Sequence, residues 1–115
     1  MWSERKKIIS DFDEVISYIK QQDSFHDYRL GNVEFKNNSI VIMIEEDTKD
    51  KYNEQALVWD FSFDIISDLK FELDCFLPMY IYEVSIENHA VEFGLTNGYI
   101  MFDAEDISLG IPKVE

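Results

Sequence analysis

The side chains with chemistry to offer are overwhelmingly carboxylates. The chain of 115 residues carries 24 Asp and Glu against 10 Lys and Arg, a formal net charge of −14. Between residues 71 and 115 nine acids face one base, Lys113. Such a concentration can hold a hard cation, attract a basic partner or simply hydrate a surface. For a cation, Glu92, Asp103 and His89 are the ligands at hand. Neither calcium-loop spacing nor paired Cys or His at zinc spacing accompanies them. A hydrolase holding Mg²⁺ or Mn²⁺ in the acidic cluster is therefore the weakest reading, and no metal site is assigned.

Nucleophilic chemistry has little to work with. Cys75 lies in Asp74-Cys75-Phe76-Leu77, apolar on its C-terminal side, and reads as a buried, inert thiol. No glycine-rich oxyanion loop pairs it with His26 or His89. The pair His26-Asp27 sits where a helix gives way to a strand, so its expected work is hydrogen bonding within the turn. The phosphate-cradling glycine patterns are absent. The chain reads as a non-enzyme without catalytic residues or cofactors.

Composition removes further classes. A surface this acidic repels nucleic-acid phosphates and an anionic membrane alike. One cysteine cannot form an internal disulfide. The longest apolar run, Phe76 to Tyr82, is far too short to span a bilayer and contains Pro78. The start, Met1-Trp2-Ser3-Glu4-Arg5-Lys6-Lys7, leads into an amphipathic stretch and not a signal-peptide core. The expectation is a cytoplasmic protein. With 46% hydrophobic residues, 15% of the chain being aromatic, residues 1–115 can form a single domain with a real core.

The elements that must position the acids follow from periodicity. From Glu4 to about Gln22, Ile8, Ile9, Phe12, Val15, Ile16 and Ile19 recur at gaps of three and four and predict a helix. Ser3 is its expected N-cap and Asp23-Ser24 its exit. Arg5, Lys6 and Lys7 would then sit in the first turn, against the helix dipole. After Asp23 the period becomes two. Tyr28–Lys36 and Ser39–Glu46 predict strands joined at Asn37-Asn38, and Glu45 to Gln55 reads as a polar loop. Leu57, Trp59, Phe61, Phe63 and Ile65 then alternate with Val58, Asp60, Ser62, Asp64 and Ile66. Trp59 thus belongs to the core, while Trp2 either staples the N-terminus or stands exposed. Residues 67–79 fit a strand, a short helix or an irregular crossing, and Pro78 argues against a central strand. Tyr80–Glu87, Ala90–Leu95 and Tyr99–Ala104 complete the set, parted by Asn88-His89 and Asn97-Gly98. The expected fold is α+β, an N-terminal helix packed on a curved, largely antiparallel sheet of six or seven strands.

Two-residue turns fix a register. With Asn88-His89 as the first loop, Ser85 opposes Glu92 and Val84 opposes Phe93. With Asn97-Gly98 as the second, Phe93 opposes Phe102 and Glu92 opposes Asp103. Glu83, Glu87, Glu92 and Asp103 then share an outward face, joined by Asp60 and Asp64 if the long strand has the same orientation. Glu92 and Asp103 would be like charges side by side, which destabilises a sheet. Either the face is only solvated, or it is a docking surface for a basic partner, where opposite potentials steer encounter. The second reading makes Asp60, Asp64, Glu83, Glu87, Glu92 and Asp103 the candidate partner-binding residues.

Phe25-His26-Asp27-Tyr28-Arg29-Leu30, followed by Val33-Glu34-Phe35 and the apolar Ile40–Ile44, resembles the Phe/Leu-His-Asp opening of small bacterial α+β domains. Some of these are associated with immunity proteins of polymorphic toxin systems. The likeness spans residues 25–44, and nothing from Ala56 onward contributes to it. It implies a small cytoplasmic protein that binds and neutralises a cognate toxin, with His26 and Asp27 marking a family-typical turn. An acidic immunity protein would suit a basic toxin. The rival is a self-associating structural module, a homodimer held by an edge strand or by apolar residues such as Trp2 and Ile111.

Overall fold

A computed structural model of the chain describes residues 7–46, 57–73, 79–96 and 98–112. In chain order the elements are β1 (Lys7–Ile9), α1 (Phe12–Gln21), a single turn at Asp23–Phe25, β2 (Arg29–Lys36), β3 (Ser39–Glu45), β4 (Val58–Leu73), β5 (Ile81–Glu87), β6 (Ala90–Leu95) and β7 (Gly98–Ile111). Among the described residues, one helix and seven antiparallel strands make a sheet-dominated α+β fold. The strand order is β2-β3-β4-β7-β6-β5, and β1 pairs with the C-terminal part of β7.

The helix starts later than its periodicity suggests. Ile8 and Ile9 belong to β1, where they pair with Gly110 and Leu109 of β7, and that pairing claims them from the helix. Asp11, extended at φ −108° and ψ 130°, is the N-cap. The expected cap Ser3 and the bases Arg5 and Lys6 lie outside the described residues. Asp13 and Glu14 now occupy the first turn and Lys20 the last, so the charges agree with the helix dipole.

Beyond the helix the backbone turns left-handed. Asp23, Ser24 and Phe25 have φ of 54°, 54° and 56°, and Asp27 of 71°. Each such residue costs roughly 1–2 kcal/mol. The offset is Phe25, fully buried among the rings of Tyr18, Tyr28, Trp59 and Phe61 at centroid distances of 5.4–6.3 Å. Burial of such a ring and its edge-on contacts offsets strain of this order. Trp59 is core as expected, its Nε1–H donating to the Tyr18 hydroxyl at 2.7 Å. Burial pushes the Tyr28 hydroxyl above the ordinary 10.0, helped by the neighbouring Glu46 and Tyr18.

The strand alternation holds through Trp59, Phe61 and Phe63, all buried, and then fails. Ile65 was expected to point inward but adopts φ 54° and is 52% exposed, and Ile66 packs against the core instead. A second left-handed residue, Asp68, accompanies a one-residue register step between Ser67 and Lys70. The segment that fitted three conformations is strand as far as Leu73. Residues 74–78, with Cys75 and Pro78, lie outside the described set, as do Trp2 and most of the expected 45–55 loop.

At the ends of the strand order, Arg29 and Tyr80 form an isolated antiparallel bridge. The Leu30 and Ile81 amides donate to the carbonyls of Met79 and Tyr28, at 2.9 and 2.7 Å. The inner core runs through Ile40, Ile42, Ile44, Phe61, Phe63, Phe93, Ile100, Phe102 and Leu109, joined by Val15 and Ile19 of α1.

Candidate functional site

The three C-terminal strands, together with β4, set the positions of the acids. The β5–β6 register is as expected: Ser85 opposes Glu92, Val84 opposes Phe93 and Glu87 opposes Ala90. The β6–β7 register is two residues away from expectation. Leu95 pairs with Gly98, so Phe93 faces Ile100 where Phe102 was expected, and Glu92 faces Met101 where Asp103 was expected. The cause is Gly98, whose φ of 154° keeps it in the strand, paired with Leu73 and Leu95. A β-carbon there would collide with the Glu72 carbonyl oxygen. Glycine therefore serves as a close-packed strand residue at this position and not as a loop residue.

A slip of two preserves the face each side chain occupies. Glu83 and Glu87 on β5 and Glu92 on β6 are exposed, and Asp103 on β7 is half-buried. Glu87 and Asp103 belong to one row through Ala90, extended by Ser67 on β4. The next row holds Ser85, Glu92, Met101 and Lys70, which sets Glu92 diagonal to Glu87 and Asp103. Glu83, displaced by the bulge at Tyr82, shares a row with Gly94, Tyr99 and Glu72. These four candidates occupy consecutive rows of one surface.

Asp64 and Asp60 stand apart from them. Asp64 is exposed, accepts a hydrogen bond from Ser39 Oγ at 2.7 Å and lies directly opposite Asp106. A like-charge pair thus exists, on other residues than those expected. Asp60, half-buried, pairs with Met43 and Gly110 two pleat repeats further on.

Glu72, Glu105 and Asp106 were missed as members of the surface. Ending the last strand at Ala104 hid two of them, although Ile107, Leu109 and Ile111 continue a two-residue alternation that could have extended it. Among the described residues from Leu57 onward there are ten acids and one base, Lys70.

His89 is engaged by a backbone carbonyl and an aromatic ring, and it lines a cleft together with Asp103 and Glu105. Its Nδ1 lies 2.7 Å from the Ala104 carbonyl, and its ring meets Phe12, the first residue of α1, at a centroid distance of 4.5 Å. Beside it a cleft of about 470 Å³ opens between Ile65–Ser67 and Asp103–Glu105. Among the described residues no three His, Cys, Asp or Glu side chains are grouped closely enough to hold a metal ion. His26 Nδ1 and Asp27 Oδ2 are 3.3 Å apart at the surface, while the Asp27 amide donates to the Ile81 carbonyl at 2.9 Å. The pair does sit in the turn, tying it to β5. The Arg29–Glu45 ion pair, 2.7 Å long, bridges β2 and β3. Gly31 lies at the bulge beside it, where a side chain would run into the Glu45 carboxylate. No described helix is long and apolar enough to cross a membrane. Comparison with protein-family models, curated proteins and solved structures finds no match to this chain.

Proposed function

We propose that the chain is a small protein-binding module that docks a basic protein on the outer surface of β5, β6, β7 and the adjoining half of β4. The observation behind this reading is the consecutive rows that carry Glu83, Glu87, Glu92, Asp103 and Glu72, with Lys70 as the only base among the described residues of β4–β7. In this reading the sheet is curved around its core, α1 packs over the inner side and the outer side is left for a partner. Asp60 and Asp64 extend the field toward β3, with Asp106 beside Asp64. Self-repulsion among these carboxylates is retained because it sharpens attraction for a cationic surface and rejects acidic ones. The resemblance around Phe25-His26-Asp27 gives the partner a class: a basic toxin neutralised in the cytoplasm by stoichiometric binding.

Capture on tagged protein from lysate of the source organism, at low and high salt with mass spectrometry, identifies the partner. The double reversal Glu92→Lys with Asp103→Lys then tests the surface. Both side chains point away from the core, so circular dichroism should stay unchanged. Affinity for the captured partner should fall by at least about tenfold, mainly through slower association. Unchanged affinity at low salt would remove the acidic surface from the proposal.

A further inference from the structure

We propose that residues Leu69–Leu73 of β4 are a self-complementary edge on which a second copy of this chain adds an antiparallel strand. β3 pairs with β4 only as far as Phe63, followed by one bond from the Ile66 amide to the Asn38 carbonyl at 2.9 Å. Among the described residues no strand covers that edge from Ser67 to Leu73, although the opposite edge is paired with β7 down to Gly98. Uncovered backbone donors and acceptors on an edge are a template for another strand. The left-handed Asp68 and its register step close off the irregular part of β4. Five residues remain, and Phe71 is the middle one.

A twofold axis at Phe71 sets this ring against its own copy. Lys70 then faces Glu72 of the second copy, twice by symmetry, and Leu69 faces Leu73. The faces agree as well. Phe71 shares its row with buried Ile100, and Leu69 packs on the core, whereas Lys70 and Glu72 are exposed and alternate with them. The neighbouring registers that keep the faces matched put Lys70 against Lys70 or Glu72 against Glu72, so charge selects one arrangement. Phe71 and Leu73 are 53% and 41% exposed, and Phe35, 52% exposed, lies 6.0 Å from the Phe71 ring. Pairing would cover this apolar surface. It also gives a role to Lys70, the single base among the described residues from Leu57 onward.

Two chains of charge −14 repel one another. That repulsion acts at long range and is screened within a Debye length of about 8 Å at physiological ionic strength. Dimerisation should therefore tighten as salt rises, the opposite of docking to a basic partner, and the two proposals stand or fall separately. Strands of five residues bury little area, so the dimer exchanges rapidly and forms at high protein concentration.

Sedimentation of the full chain up to millimolar concentration, at low and high salt, reads the association directly. Lys70→Glu and Glu72→Lys should each weaken the dimer by about tenfold. An equimolar mixture of the two should restore it, as should both changes in one chain. In a Cys75→Ser background, oxidised Phe71→Cys should give a covalent dimer and Lys70→Cys should not. A chain that stays monomeric throughout overturns the proposal. So does a dimer indifferent to these reversals, or association that rises in Lys70→Ala, which would make Lys70 a guard of the edge.

Discussion

Ile65 is the residue whose backbone and side chain disagree most. At φ 54° a β-branched side chain crowds its own carbonyl, and with 52% of its surface exposed it recovers little by burial. The strain is held by well-made pairs on either side, Phe63 with Ile107 and Ile66 with Ala104. Substituting Ile65→Gly should stabilise the protein by about 1 kcal/mol, seen as a higher denaturant midpoint with an unchanged slope. A lower midpoint would mean that Ile65 makes contacts that outweigh its strain. This position also shows where alternation stops being a guide. Five alternate apolar residues beginning at Leu57 predict an unbroken inward row, and the pattern has no symbol for a left-handed residue that resets the face. What Ile65 loses, Ile66 gains. The exit from the helix at Asp23-Ser24 was legible, but the left-handed backbone of Asp23–Phe25 was not, since Ser and Phe carry no positional signal for positive φ.

At the scale of elements, β4 and β7 organise the sheet, and Gly98 sets how the second hairpin closes. Adding a β-carbon there meets backbone, which cannot swing aside as a side chain could. Gly98→Ala should cost about 2 kcal/mol through loss of the Leu73 and Leu95 pairings, measurable by thermal or chemical unfolding. A neutral result would show that the end of β7 frays without consequence. The same glycine explains why the faces were legible while the neighbours were not. Burial of Phe93, Ile100 and Phe102 fixes parity, and any slip of two satisfies it equally. Asn88-His89 closed the first hairpin as its sequence suggests. Asn97-Gly98 did not close the second, because packing against Glu72 claimed the glycine. Glu92 and Asp103 therefore kept their face and lost each other. The missing strand at Lys7–Ile9 has a different cause: Ile8 and Ile9 fit a helical stripe and a strand equally well, and only pairing with β7 decides between them.

Across the whole molecule the opposing electrostatic terms differ greatly in size. The Arg29–Glu45 pair is partly exposed, with 40% and 30% of the two side chains accessible, and an ion pair of that kind contributes at most about 1 kcal/mol. Against it stands the self-repulsion of a chain of charge −14, much of it borne by one surface and including Asp64 directly opposite Asp106. Repulsion should prevail, so that raising sodium chloride from low ionic strength raises the melting temperature. Converting Asp106→Lys turns one repulsive cross-strand pair into an attractive one and reduces the net negative charge from −14 to −12. It should add about 1 kcal/mol at low salt and flatten the salt dependence. Thermal unfolding of the two proteins at several salt concentrations, in dilute solution where the chain is monomeric, separates the terms. A melting temperature that falls with salt would mean that attractive pairs dominate. A steeper dependence in Asp106→Lys would show that Asp64 and Asp106 are not the neighbours that concentrate the repulsion. If the expected pattern holds, the folded state carries an electrostatic penalty that a cationic surface could relieve, and affinity for such a surface should diminish over the same range of salt that stabilises the free protein.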